Sequence, residues 1–324
     1  MSSKSKIEWC DASWQPIAGC TKCSPGCLNC YAERMAFRQY HMADARCTKN
    51  RSQRNLVTAI AYGKAINKTT RKWTGDIGTN RCVLNDPRHW RKPRRIFVCS
   101  MSDLFHPQVP FEFIEKVMAV IEECPQHTFQ ILTKRPHIMF EYFSGIGKLY
   151  ELSCCPNVHL GVSISNQKEA DEKIPILLQI PAAVRWLSIE PMLGGIKLNH
   201  IKTPERILNA LKGKSKYYVD GNTPYYGHSI SWVVVGGESG PGARPMHPDW
   251  VRGIRDQCVP NGIPFFFKQH GEWVSGADKY ALKIETYNFY PKRVTRIGNT
   301  TFFRVTKKLA GRMLDGREWS EYPK

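Results

Sequence analysis

Arg95-Ile96-Phe97-Val98-Cys99-Ser100-Met101-Ser102-Asp103 sets the pattern of this chain: a short apolar, β-branched run that stops on polar residues. The arrangement recurs. Apolar runs at Phe129 to Thr133, Val158 to Ser163, Arg185 to Ile189, Ser231 to Val235 and Pro264 to Lys268 alternate with helix-compatible stretches near Phe111 to Glu123, Lys168 to Gln179, Pro204 to Lys212 and Trp250 to Asn261. Short apolar strands separated by helices mark parallel βα units. An earlier run, Trp14 to Ala18, leads into a cysteine-rich loop, and a helix is expected from Tyr31. Seven strands are too few for a regular eightfold barrel, so the expected fold is α/β, a partial (incomplete) parallel β/α TIM-like barrel.

Every strand of this series ends on polar residues. After the cysteine loop come Ser100-Met101-Ser102-Asp103, Thr133-Lys134-Arg135, Ser163-Ile164-Ser165-Asn166, Glu190-Pro191, Gly236-Gly237-Glu238-Ser239-Gly240 and Gln269-His270-Gly271-Glu272. Any one of these is an ordinary polar turn. In parallel α/β barrels, however, the carboxyl ends of the strands face one mouth, and polar groups placed there converge.

The 324 residues, 42% of them hydrophobic, suffice for a large core. The βα rhythm extends over residues 1–270, interrupted by a basic insertion at about 42–92, and a C-terminal extension, 271–324, is expected to pack on the barrel. Within it, Tyr287 to Val305 reads as a hairpin, followed by a basic, Gly-containing segment from Lys307 to Arg317. Met1 to Lys6 lacks the apolar stretch of a signal peptide, and no run reaches membrane-spanning length. The expectation is a cytoplasmic protein without a membrane partner. In that reducing compartment Cys47, Cys82, Cys99, Cys124, Cys258 and the Cys154-Cys155 pair read as free thiols.

The formal net charge is +19, and it is concentrated: Arg34 to Arg95 holds 16 Lys and Arg against Asp44, Asp76 and Asp86, a net +13. Tyr40, Tyr62, Trp73 and Trp90 are interleaved with these cations. Positive charge attracts a phosphate backbone and exposed rings stack on bases, so nucleic acid, DNA or RNA, is the expected partner. A solvated basic face over core aromatics is the plainer reading of the same composition.

The loop Gly19-Cys20-Thr21-Lys22-Cys23-Ser24-Pro25-Gly26-Cys27-Leu28-Asn29-Cys30 carries the chemistry. Three thiolates so close in a Gly/Pro loop can hold three corners of a cubane iron-sulfur cluster and leave the fourth iron open. Read instead as Cys20-x2-Cys23 with Cys27-x2-Cys30, the loop supplies four sulfurs to a structural zinc.

Cys27-Leu28-Asn29-Cys30-Tyr31, together with Phe97 to His106, Trp186 to Met192, Val235 to Pro241 and Phe266 to Trp273, resembles the phage-associated gene-product thirty-seven type family, a divergent branch similar to radical S-adenosylmethionine (SAM) enzymes. The resemblance runs from near Trp9 to Pro323. It implies a 4Fe-4S cluster and SAM as cofactors, an external electron donor, and formation of a 5'-deoxyadenosyl radical that removes a hydrogen atom from substrate. The protein's part is orientation, electrostatics and exclusion of competitors. The family's C-x6-C-x2-C pattern maps onto Cys20, Cys27 and Cys30 and leaves Cys23 as the extra cysteine, whereas the wider superfamily's C-x3-C-x2-C selects Cys23 over Cys20.

The resemblance also implies roles by position. Tyr31 would lie against adenine; Ser100, Ser102 and Asp103 would meet the SAM amino group; Ser163 and Asn166 the ribose; Glu190 ribose, adenine or substrate. Gly236, Gly237 and Glu238 would let backbone approach the cofactor. Lys134, Arg135, Arg244, Lys268 and Gln269 are then the substrate contacts. The reading is a radical SAM enzyme acting on a nucleic acid or nucleotide. Its alternatives are a zinc-stapled, non-catalytic nucleic-acid-binding protein, and a radical SAM enzyme acting on a small molecule or a protein partner.

Overall fold

In the computed structural model, residues 5, 7–50, 52–145, 155–204, 206–218, 224–226, 228–281 and 293–323 are described. The chain divides into two compact units, residues 1–162 with 180–183 and residues 163–179 with 184–324. Each is a mixed α/β body built on parallel strands.

The first unit carries four parallel strands in the order β1 (Ala12–Trp14), β4 (Arg95–Val98), β5 (Thr128–Thr133) and β6 (Val158–Ile164). The runs Ile96-Phe97-Val98 and Phe129-Gln130-Ile131 are wholly buried, as expected of strands covered on both faces. Helix α3 (Phe111–Glu122) buries Phe113, Ile114, Val117, Met118, Val120 and Ile121, an apolar stripe with helical spacing. At about 1.5–3 kcal/mol per large side chain, that stripe is what holds the helix in place. Helix α4 (Pro136–Phe143) starts directly after β5, with proline at a first-turn position where its missing N–H costs nothing.

The strand expected over Trp14 to Ala18 is two strands. β1 ends at Trp14, and β2 (Ile17–Ala18) pairs antiparallel with β3 (Gly78–Thr79). Pro16 separates them because it has no N–H to give a ladder. The insertion boundary at Met42 also falls inside regular structure: helix α1 (Tyr31–Asn50) runs unbroken through it, and α2 (Gln53–Ala65) packs back against α1. Ala, Arg, Glu, Met and Gln, all strong helix formers, dominate the first turns of α1.

The second unit carries three parallel strands in the order β7 (Val184–Ile189), β12 (Trp232–Gly236) and β13 (Phe265–Gln269), all or nearly all of whose residues are buried. Trp232 is central, with Trp186 at 5.2 Å and Tyr322 at 5.7 Å. The C-terminal segment lies along β13, Phe267 N–H donating to Trp319 O at 3.0 Å. Helix α5 (Gln167–Leu177) and helix α6 (Pro248–Cys258) match the expected helices within a few residues.

Among the described residues of the stretch Pro204 to Lys212 no helix forms. That stretch holds β9 (Ile207–Asn209), which pairs with β8 (Ile201–Lys202) through Ile201 opposite Leu208. The Thr203 hydroxyl both donates to Arg206 O and accepts from Arg206 N–H, closing the turn, and Gly213 at φ 59 turns the chain into β10 (Lys214–Tyr218). Burial of the branched residues across the hairpin outweighs the helix propensity of Leu208, Ala210 and Leu211. The expected hairpin near the C-terminus is β15 (Val294–Ile297) with β16 (Thr300–Arg304); its part from Tyr287 to Lys292, like Cys154, lies outside the described residues.

Candidate cysteine-loop site

The cysteine loop leaves β2 through Gly19, which sits at φ 104. A Cβ there would come within 2.5 Å of Asp76 O and 2.9 Å of Ala65 Cβ, so only glycine admits the turn. Ser24 caps a short 3-10 turn over Pro25–Cys27 by accepting from Gly26 N–H at 3.1 Å, and Lys22 Nζ closes the loop by donating to Leu28 O at 3.0 Å. Cys27 is buried, Cys20 and Cys30 are half-buried and Cys23 is exposed.

The ends of β4 and β5 brace this loop. Arg135 donates from one guanidinium nitrogen to Asp103 Oδ2 at 2.9 Å and contacts Cys20 Sγ at 3.8 Å. From the other it donates to Thr21 O at 2.9 Å and Thr21 Oγ1 at 2.8 Å. Both partners of the ion pair are buried, with 5% and 6% of their side chains exposed. Asp103 is fully engaged: it also accepts from Thr133 Oγ1 at 2.7 Å, Phe105 N–H at 3.1 Å and Lys134 N–H at 3.2 Å. Such a pair persists in a low dielectric because both carboxylate oxygens and both terminal guanidinium nitrogens are hydrogen-bonded.

The other residues expected around the cofactor in this unit also serve the loop. Tyr31 opens α1 and donates its hydroxyl to Ser100 O at 2.6 Å. The Ser100 hydroxyl accepts from Gln15 Nε2 at 2.6 Å, and Ser102 donates to Ile17 O at 2.9 Å. Cys99, buried at φ 59, is the residue that turns β4 into this exit.

Thiol electrostatics differ around the loop. Burial, with the Asp103 carboxylate, pushes Cys20 up to about 12, against the pull of Arg135. The hydrogen bond from Cys23 draws Cys27 well below the ordinary thiol range, with Lys134 adding to the effect, and the same contact and burial push Cys23 up. Burial raises Cys30. Among the described residues, no group of three or more His, Cys, Asp or Glu side chains is drawn together so as to hold a metal ion.

Sequence reasoning did not single out Thr21, Gln15 or His106. His106 Nε2 lies 2.9 Å from Thr21 Oγ1, and its Nδ1 accepts from Gln108 N–H at 3.2 Å, so the proton of the neutral ring is on Nε2. Burial, with Arg135 nearby, lowers His106 to about 4. His106 ends the block Phe97 to His106, which was the available signal; Thr21 and Gln15 carried none.

The second unit gathers its own polar strand ends. Lys268 Nζ donates to both carboxylate oxygens of Glu190, at 2.7 and 3.0 Å. Gly236 lies beside that carboxylate, where a Cβ would stand 3.3 Å from it. Gly237 approaches His270 so closely that a Cβ would be 2.1 Å from the carbonyl oxygen, and Gln269 Nε2 donates to Gly237 O at 2.7 Å. Glu238 binds Arg244 through both its Nε and Nη2 and accepts from its N–H at 2.8 Å, which fixes the turn. Ser163 O accepts from Lys173 Nζ at 3.1 Å, and Asn166 caps α5 by accepting from Glu169 N–H at 2.9 Å.

The fold and its sites define a mixed α/β protein with parallel strands and a braced cysteine loop. The chain belongs to the family described as "Protein of unknown function (DUF5131)", whose model matches residues 4–323. No curated protein and no solved structure matches it. No helix among the described residues is long and apolar enough to cross a membrane.

Proposed function

We propose that this chain is a radical SAM enzyme that carries a 4Fe-4S cluster on its cysteine loop and acts on a nucleic acid or nucleotide. An incomplete parallel β/α barrel is the architecture we assign to its seven parallel strands. The observation that carries the proposal is the buried Arg135 held by Asp103 against Cys20 and Thr21. A fixed cation beside a loop of thiols is what a polyanionic thiolate site requires, and the donor set, Cys20, Cys27 and Cys30, is of the right kind. When bound, the cluster supplies the electron that cleaves SAM.

The chain's own residues position that chemistry. Arg135 fixes the Cys20-Thr21 limb and offsets thiolate charge. Tyr31 ties the start of α1, one residue after Cys30, to the exit of β4. The basic segment adjoins the loop: Lys72 Nζ reaches Glu33 Oε2 at 3.1 Å, Trp73 N–H reaches Glu33 Oε1 at 3.4 Å, and Asp76 O covers Gly19. A polyanion attracted there is brought to the cysteines.

The hydrogen bond between Cys23 and Cys27 suits both a four-cysteine zinc site and the C-x3-C-x2-C cluster spacing. Metal analysis of anaerobically purified protein separates the two. Iron with sulfide and a brown colour supports the cluster, whereas one zinc in a colourless protein assigns all four cysteines to a structural metal. Salt-dependent binding of DNA or RNA supports the nucleic-acid substrate, and its absence moves the substrate to a small molecule or protein.

A further inference from the structure

One face of α1 carries two aromatic rings, each covered by a cation. The Arg71 guanidinium lies 4.8 Å from the centroid of Phe37, and Lys68 Nζ lies 4.8 Å from that of Tyr40. His41 stands edge-on to both, at 4.3 Å from Phe37 and 5.0 Å from Tyr40. The two rings are half-buried and His41 is exposed. Spacings of three and four residues put all three on one side of the helix.

The turn that delivers the cations is fixed by its own hydrogen bonds. Asn67 Oδ1 accepts from Thr69 and Thr70 N–H at 3.0 and 2.8 Å, Asn67 N–H donates to Lys72 O at 2.8 Å, and Arg71 N–H donates to Asn67 O at 2.8 Å. Arg71 itself sits at φ 57, the left-handed region where glycine or asparagine is usual. A long cationic side chain held in that conformation and laid over a ring is a costly arrangement for a merely solvated surface. Between Arg34 and Lys72 the sequence has one acidic residue, Asp44.

Among the aromatics of the basic segment Tyr62 is fully buried, and the inner sides of Trp73, Phe37 and Tyr40 all pack against the cluster of Ala61, Tyr62 and Ala65. Trp90 is half-buried beneath Arg94, 5.1 Å away. Phe37 and Tyr40 differ from these rings in standing side by side on one helix face, each under its own cation and both meeting His41.

We infer that this face binds single-stranded nucleic acid, with bases stacking on Phe37 and Tyr40 while Lys68 and Arg71 move from the rings to the flanking phosphates. The inference deepens the proposed nucleic-acid substrate and rests on it. Ring faces select unpaired bases, because a duplex hides its base faces in the stack and offers only backbone to the cations.

The test is fluorescence anisotropy at low salt with the full chain, using a 12-nucleotide oligo(dT), an oligo(U) of the same length and a DNA hairpin duplex. Phe37→Leu and Tyr40→Leu keep apolar volume and remove the π face. Each is expected to weaken single-strand binding by about 5- to 150-fold and to leave duplex binding within about twofold. Arg71→Gly, which suits the backbone, should weaken both. Wild-type single-strand affinity in both leucine variants, or equal wild-type affinity for single strand and duplex, overturns the platform while leaving a nucleic-acid substrate standing. No binding of any probe overturns both. Should the leucine variants fail to fold, photocrosslinking decides on the wild type: a 4-thiouridine oligonucleotide attached at Phe37 or Tyr40 supports the inference, and attachment elsewhere contradicts it.

Discussion

Arg135 and Asp103 form a buried ion pair at 2.9 Å whose second guanidinium nitrogen holds Thr21, so a pair made by the ends of two parallel strands fixes the limb that carries Cys20. Removing one member leaves the other charged and unpartnered in the interior. Asp103→Asn and Arg135→Gln are each expected to cost about 3–5 kcal/mol in urea unfolding, and the double variant less than the sum. Faster alkylation of Cys20 should accompany Asp103→Asn, which loosens the limb and removes a carboxylate that raises the thiol. A loss below about 1 kcal/mol, with unchanged Cys20 reactivity, would show that the pair does not brace the loop.

The cysteines should not be equivalent. Cys20→Ala, Cys27→Ala and Cys30→Ala are expected to lose the iron-dependent visible absorption and remain folded, since the loop adds little to the apolar core. Cys23→Ala, at the exposed position, should keep most of it. Loss in Cys23→Ala with retention in Cys20→Ala would reverse the ligand assignment.

His106 gives the fold a pH dependence. Its pKa in the folded protein, about 4, is below the ordinary histidine value of 6.5, because burial disfavours the charged ring and Arg135 adds to the effect. The unfolded chain takes up a proton first as pH falls. Stability is therefore full above about pH 6.5 and declines toward pH 4. Urea midpoints measured from pH 7.5 to 4.5 should fall, and His106→Gln should flatten the His106 part of that fall. Parallel curves for both proteins would refute the assignment.

Gly236, the last residue of β12, and Gly237, which follows it, should respond differently to alanine. At Gly237 the added Cβ meets backbone, His270 O at 2.1 Å, while at Gly236 it meets the movable Glu190 side chain at 3.3 Å. Gly237→Ala is expected to cost about 3 kcal/mol or more, and Gly236→Ala about 1 kcal/mol with a disturbed Glu190-Lys268 pair. Thermal unfolding of the two variants reads the difference, and equal midpoints would contradict it.

Much of this was legible in the residues themselves. Runs such as Ile96-Phe97-Val98 and Trp232 to Val235 are apolar throughout because parallel strands are covered on both faces, so their length and spacing gave these strands to within a residue or two, whereas the first, expected over Trp14 to Ala18, is split into β1 and β2. The cysteine loop, with Tyr31 opening a helix directly after it, was equally plain. The stretch from Ile201 to Asn209 was not, because its helix-favouring residues are overruled by pairing across a hairpin that local propensity does not register. Nor could position along a strand tell whether Asp103 or Asn166 stood free: one is spent on Arg135 and the other caps α5. Long-range partners decide such roles. The aromatic face of α1 was only half legible: Tyr40 stood among the rings interleaved with cations, but Phe37 did not, and the cover of both rings by Lys68 and Arg71 depends on a turn far along the chain.

The central claim is that the cysteine loop carries a redox-active cluster that cleaves SAM. Its most direct test is anaerobic reconstitution of the full chain with iron and sulfide, chemical reduction by dithionite, addition of SAM, and chromatography for 5'-deoxyadenosine. The account predicts about four iron and four sulfide per chain, and 5'-deoxyadenosine that is formed by the wild type and abolished in Cys27→Ala. A reconstituted, iron-loaded protein that yields none, or a chain that takes up one zinc and no iron, would contradict it.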